Sequence, residues 1–563
     1  MTRKRTPPES PGTADDAQDP RKARREGRPF PIVGIGASAG GLEAFTELLK
    51  HLPADTGMGF VLVQHLDPQH ESALTDILGR ATSLPVREAT NDLRVEADHV
   101  YVIAPNTRLG IAEGVLKVEP RAQTRALHPP LPPIFEALAH DQCARAVGVV
   151  LSGTASDGTL GLEAIKAEGG ITFAQDDSAR YDSMPRSAVA AGCVDFVLAP
   201  KDIAQELARI AAHPYLAGQS RELPIAAEDD ATAATAHEDD PTALPSGGHE
   251  AEGAQRARAE AERGREPEGA DNGFRKILLL LRQHSGVDFS LYKSSTIQRR
   301  ITRRLVLSKE TRLEDYARFL RGNTKELDAL YSDVLISVTS FFRNPEAFDA
   351  LQREALPGLL QQPGEDPLRA WVLGCSTGQE AYSLAIAFAE AAEKAPRLRK
   401  IQIFATDLND ALLDKARHGL YAKSLAEDIT PERLRRFFVE EQGGYRINKT
   451  LRETVVFARQ NLISDPPFSR MDLISCRNLL IYLEPSLQKK AIPTFHYALK
   501  PERFLLLGAS ESIGGFTDLF EPLDKKHKIY VKKAAPSTPF HLPLRKEREE
   551  RALPPLPAVQ DAA

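Results

Sequence analysis

The chain has 563 residues, enough for about three to five domains, and its 42% hydrophobic and 27% charged residues match the average of a soluble globular protein. That balance excludes collagen, coiled coil and wholesale disorder; no apolar run approaches the ~18 residues of a membrane span, and the mean hydropathy is −0.32. A net charge of −6 gives no global attraction to nucleic acid. The four cysteines, Cys143, Cys193, Cys375 and Cys476, stand far apart with no C-x-x-C pair, so neither a metal site nor a disulfide framework is expected. The N-terminus carries no apolar secretory segment, and the chain reads as cytoplasmic.

In chain order, residues 1–29 mix eight Lys/Arg with five Asp/Glu and contain no aromatic residue, which predicts a disordered tail. A globular part follows over 30–220. Residues 221–270 form an acidic, alanine-rich stretch without aromatics, a predicted disordered linker. A helical subdomain is expected over 271–345, a second α/β domain over 346–533, and a proline-rich tail over 534–563.

The first globular part opens with an apolar strand running into Gly34-Ile35-Gly36-Ala37-Ser38-Ala39-Gly40-Gly41, followed by Leu42, Phe45, Leu48, Leu49 and Leu52 at helical spacing. A second strand, Gly59 to Val63, ends in Gln64-His65-Leu66-Asp67. A third, Ala146 to Leu151, ends in Ser152-Gly153-Thr154-Ala155-Ser156-Asp157-Gly158. Strands alternating with helices predict a doubly wound parallel sheet, whose ligands sit beyond the carboxyl ends of the strands. The opening motif has two readings. Gly34-x-Gly36-x-x-Ala39 is a loose dinucleotide fingerprint, whereas Gly36-x-Ser38-x-Gly40 fits a nucleophile elbow. A dinucleotide site wants an acidic residue ending the second strand; here stands His65. A hydrolase wants a histidine to take the serine proton and an aspartate to orient it, and Ser38, His65 and Asp157 fall past three strand ends.

These three segments, with Ala174-Gln175-Asp176 and Met184-Pro185, resemble the signatures of the chemotaxis protein-glutamate methylesterase family over about 31–200. The resemblance implies Ser38 as nucleophile, His65 as general base and acid, Asp157 as the orienting carboxylate, and the backbone N–H groups of Ala39 and Thr154 as oxyanion donors. It implies hydrolysis of glutamate methyl esters, with glutamine deamidation as an additional activity. Ala39 stands where the family often has Thr, and Thr154 where it often has Met. The 29 preceding residues are too few for the receiver domain common in that family, so no dependence on phosphorylation is expected.

The second part begins with helical periodicity (Phe274, Ile277, Leu278, Leu281, then Ile297, Ile301, Leu305). A parallel-sheet pattern follows. Ala370 to Leu373 leads into Gly374-Cys375-Ser376-Thr377-Gly378-Gln379-Glu380, and Ile401 to Thr406 ends at Asp407. Thr454 to Ala458 leads to Gln460-Asn461-Leu462, and Met471 to Ser475 leads to Cys476-Arg477-Asn478. This is a Rossmann-like nucleoside-binding pattern in which a carboxylate ending the second strand accepts from a ribose diol. Spacing alone leaves NAD and S-adenosylmethionine open; no phosphate-cradling Gly-x-x-x-x-Gly-Lys-Ser/Thr occurs.

The Gly374–Glu380 turn, Thr339-Ser340-Phe341-Phe342-Arg343, Ala405-Thr406-Asp407 and Ser475 to Tyr482 resemble the chemotaxis receptor glutamate methyltransferase family over about 274–533. The resemblance implies S-adenosyl-L-methionine as cofactor, with Ser337, Thr339, Arg343, Glu380, Asp407, Asn461, Leu462, Arg477 and Asn478 near it; Ser337 stands where the family commonly has Asn. It implies a methyl-accepting receptor or receptor-like partner with glutamate-rich helices. Arg299, Arg300, Arg303 and Arg304 lie on one helical face and are the expected complement to such helices. The chain thus reads as a fusion of opposing enzymes. Two rivals are a signalling scaffold with inactive sites, and a serine esterase joined to a methyltransferase with other substrates.

Overall fold

The computed structural model describes residues 30–64, 74–104, 107–120, 131–154, 158–216, 270–336, 339–361, 366–395, 399–423, 429–442 and 444–535. The expected tails and the acidic linker, at 1–29, 221–269 and 536–563, lie outside them. The chain falls into two compact units. The first comprises residues up to Lys276 together with Gln298–Gly322, and the second comprises Ile277–Ile297 and Asn323 onward. No helix among the described residues is long and apolar enough to cross a membrane.

The first unit holds β1 (Ile32–Ala37), β2 (Gly59–Gln64), β3 (Val86–Glu88), β4 (Val100–Val102), a hairpin of β5 (Thr107–Ala112) and β6 (Val115–Pro120), then β7 (Ala146–Val150), β8 (Ile171–Gln175) and β9 (Phe196–Leu198). Seven of these make one parallel sheet in the order β3-β4-β2-β1-β7-β8-β9. Its central strands are apolar throughout because helices cover both faces. Phe60 and Leu62 join one core with Phe45 and Leu48, while Val61 and Val63 point to the other with Phe135 and Leu162. Strand order reverses at β1, which pairs with β2 on one side and β7 on the other, so a crevice opens past its carboxyl end.

The second unit holds β10 (Leu368–Leu373), β11 (Ile401–Asp407), β12 (Leu420–Tyr421), β13 (Phe438–Glu441), β14 (Gly444–Ile447), β15 (Val455–Arg459), β16 (Met471–Cys476), β17 (Leu499–Leu507), β18 (Phe520–Asp524) and β19 (Ile529–Lys532). The main sheet runs β15-β11-β10-β16-β17-β19-β18, parallel up to β17 and antiparallel at β19 and β18. β12, β14 and β13 make a small antiparallel sheet. Here the reversal is at β10, between β11 and β16.

The expected helical subdomain exists as helices Ala270–Ser285, Ser294–Leu307, Leu313–Gly322 and Thr324–Val334. One expectation for it fails. Arg300 and Arg303 do not present a basic face to a substrate: they are 4% and 2% exposed. Within the first unit Arg303 pairs with Asp195 and donates from Nε to the Gly170 carbonyl at 3.0 Å. Arg300 donates to the Lys166 carbonyl at 2.6 Å and also to that of Ala167. Those carbonyls end the helix Thr159–Ala167, where the negative pole of the helix attracts cations. Arg299, partly exposed, pairs with Glu168 at 3.2 Å; Arg304 is half-buried. An arginine run reads as solvated only while its acceptors, far away in sequence, are unknown.

Candidate active sites

In the first unit, β1 delivers Ser38 to the sheet edge and a tight turn follows, with the Gly41 N–H donating to the Ser38 carbonyl at 3.0 Å before the helix Gly41–Lys50 begins. The Ser38 N–H donates to the Ser152 carbonyl at 3.0 Å, tying the end of β1 to the end of β7. Ser152, 1% exposed, clamps the same turn with its side chain: Oγ donates to the Ala39 carbonyl at 2.8 Å and accepts from the Tyr181 N–H at 3.0 Å. Gln175 accepts from the Ser152 N–H at 2.9 Å. Met184, fully buried, donates its N–H to the Gly153 carbonyl. The Ala-Gln-Asp and Met-Pro segments therefore buttress the loop that holds Ser38. Ser38 and Ala39 are half-buried and Thr154 is exposed. β2 ends on Gln64, paired with Ala37. His65 and Asp157 lie outside the described residues.

In the second unit, the turn after β10 needs glycine at Gly378, where φ is 95° and an added Cβ would stand 2.9 Å from the Ala416 Cβ. Asp407, closing β11, accepts from the Ser376 N–H at 2.8 Å through one oxygen and from the Asn409 N–H at 3.0 Å through the other. Burial pushes its carboxyl above the ordinary range, against the pull of backbone N–H groups from Asn409, Ser376 and Leu408. Asp407 and Leu408, with Gly374 from the turn after β10, line a cleft whose open space, solvent at its mouth included, is about 910 Å³. Of the expected cofactor residues, Asp407, Asn461, Leu462 and Asn478 line it.

Other expected residues do not line it. Glu380 is taken up by an ion pair, accepting from Arg477 at 2.8 Å and from the Ser475 hydroxyl at 3.0 Å. Arg477, 8% exposed, donates onward to the Arg343 carbonyl at 2.5 Å and to the Asn344 side chain at 3.1 Å. Glu380, Arg477 and the backbone at Arg343 thus form a polar brace; Thr339 is half-buried and not among the lining residues. Ser337 lies outside the described residues.

The cleft also has walls that sequence reasoning missed. Tyr292, Thr296 and Val334 come from the helical segments, and Gln460 and Tyr482 from loops past β15 and β16. Gln460 donates from Nε2 to the Pro466 carbonyl at 2.8 Å and leaves a buried Oε1 with no hydrogen-bond partner among the described residues. Apolar walls from Leu373, Leu412, Leu462 and Leu479, a carboxylate, and a vacant acceptor fit a nucleoside with hydroxyl and amino donors.

Comparison with known proteins agrees with both halves. CheB methylesterase matches residues 33–207. CheR methyltransferase matches through its all-alpha domain at 272–335 and its SAM binding domain at 337–529. An uncharacterized 104.1 kDa protein of Rhodobacter capsulatus is 37% identical over 461 residues, 81% of this chain; the chain spans 46% of that relative's length. A chemotaxis protein methyltransferase of Listeria monocytogenes is 34% identical over 234 residues, covering 42% of this chain and 87% of the relative. The Thermotoga maritima CheB methylesterase catalytic domain is 26% identical, with a TM-score of 0.31, covering 32% of this chain and all of that one.

Proposed function

The chain belongs to the chemotaxis protein methyltransferase family and carries a CheB methylesterase domain ahead of it, and from that premise we propose that one polypeptide both removes and installs methyl esters on glutamate side chains of a receptor-like protein in the cytoplasm. The observation that carries this reading is the second-unit cleft, where Gly374 of the turn after β10, Asp407, Asn461 and Asn478 converge past β10, β11, β15 and β16.

S-adenosylmethionine supplies an electrophilic methyl group when bound. Asp407 would accept from its ribose hydroxyls, and the leucine walls would enclose its base. A glutamate carboxylate is already a nucleophile near neutral pH, so the protein's work is alignment, which alone is worth many orders of magnitude in rate. No basic residue is required at the reacting carbon. The Glu380–Arg477 pair braces the segment at Arg343, whose guanidinium suits the methionyl carboxylate.

In the esterase half, the Ser38 hydroxyl would attack the ester carbonyl as His65 takes its proton and Asp157 orients the ring; methanol leaves with that proton, and water then releases the glutamate. The backbone N–H groups of Ala39 and Thr154 would receive the oxyanion. The turn geometry at Ser38, held by Ser152 and Gln175, supports this assignment.

The test is a pair of assays on the whole chain: methanol release from a methylated receptor fragment and methyl incorporation from labelled S-adenosylmethionine. Both activities are expected; absence of both would favour a binding scaffold.

A further inference from the structure

Glu511 sits between β17 and β18 and is 4% exposed. A buried carboxylate needs donors to replace lost water. Four backbone N–H groups supply them: Oε2 accepts from Asn478 at 3.0 Å and Gly508 at 2.7 Å, and Oε1 accepts from Leu479 at 2.9 Å and Leu480 at 2.7 Å. Three of the four donors belong to the turn that follows β16. That turn contains a left-handed residue, Asn478 at φ 58°, and passes into the short helical turn Leu480–Tyr482. The carboxylate thus caps the amino end of this turn as an acidic N-cap does, from a distant loop. Gly508 permits the approach: an added Cβ would stand 2.6 Å from Glu511 Oε2 and 2.9 Å from the Asn478 nitrogen.

The same turn walls the cofactor cleft with Asn478, Leu479, Tyr482 and Leu483, while Glu511 is not among the lining residues. We propose that Glu511 is a positioning residue for S-adenosylmethionine: its carboxylate holds the Asn478–Leu480 backbone in the conformation that presents Asn478 and Leu479 to the cofactor. The proposal rests on the cleft being the cofactor site. It makes the loop after β17 part of the binding machinery although it does not touch the ligand. Glutamate suits the task because two oxygens accept all four N–H groups. Glutamine in the same volume would turn its amino group toward two donors.

The experiment uses the full chain with Glu511→Gln and, to guard against loss of the fold in that variant, Gly508→Ala as a second perturbation of the same contact. S-adenosylmethionine affinity is read by calorimetry, methyl transfer by KM and kcat, and the turn by amide hydrogen exchange. Expected for each variant are a Kd and a KM for S-adenosylmethionine raised about tenfold or more, the scale of one lost charge-assisted bond. The kcat at saturating cofactor should change less than about threefold, with faster exchange at residues 478–480 and unchanged exchange in β10 and β11. Wild-type affinity in both variants would overturn the proposal while leaving the cofactor site intact. So would loss of kcat in step with a general loss of amide protection, which marks a merely structural role. A wild-type chain that fails to bind S-adenosylmethionine would overturn the cleft assignment and the proposal together.

Discussion

Asp407→Asn separates binding from folding in the second unit. The carboxylate uses one oxygen for the Ser376 N–H and the other for the Asn409 N–H. Asparagine has one acceptor oxygen, so one backbone donor would face an amino group; a buried donor left unsatisfied costs about 1–3 kcal/mol of stability. The lost charge-assisted bond to a ribose hydroxyl is worth roughly 1.5–3 kcal/mol, a ten- to hundredfold fall in affinity. The pH dependence has two opposite signs. Burial raises the Asp407 pKa. Its contribution to folding stability is therefore fully present below the unfolded value of about 3.9 and is lost as pH rises through the raised folded value. Binding needs the charged acceptor, so wild-type affinity should fall as pH drops through that same folded value, and the Asn variant should lack this dependence. Calorimetry across pH, beside thermal melting, measures both. Unchanged affinity in Asp407→Asn would refute the assignment of this carboxylate to the ribose.

Ser38→Ala should abolish methanol release and leave methyl incorporation intact; a wild-type esterase rate would sink the triad. Arg303→Met removes a guanidinium whose side chain is 0% exposed from an Asp195 carboxylate that is 5% exposed, and breaking such a pair costs about 3–5 kcal/mol. Burial pushes the Asp195 carboxyl up, but Arg303, Lys166 and a backbone bond from Thr172 outweigh it and hold it below the ordinary range. The pair's contribution is therefore present above about pH 4 and lost as pH falls through the depressed value, so the variant's deficit should narrow in acid. Denaturation at two pH values checks this, and a raised receptor KM with unaltered stability would restore the substrate-facing reading. Gly378→Ala should lower the melting temperature through about 1–3 kcal/mol of left-handed strain, added to the 2.9 Å approach to Ala416; an unshifted melting curve would contradict it.

The strand ends were legible because they rest on local rules. Apolar runs at Ile32–Ala37, Gly59–Gln64 and Ala146–Val150, and again at Leu368–Leu373 and Ile401–Asp407, are contiguous in the chain, and glycine at a strand–helix turn signals itself. Parallel topology then brings the carboxyl ends together, which is why Asp407 could be expected at a nucleoside site from its strand end alone, whereas the expectation for Asn461, Leu462 and Asn478 came from the family resemblance; all four line one cleft. What only the tertiary structure decided depends on partners remote in sequence. The basic character of Arg300 and Arg303 is visible in the chain, but their acceptors at Lys166, Ala167, Gly170 and Asp195 lie over a hundred residues away, so a solvated face and a buried one look alike. Glu380 and Arg477, read as separate cofactor contacts, turn out to neutralise each other. Glu511 gives no sequence signal because its four donors are backbone groups, which every residue but proline carries; only folding brings them around one carboxylate.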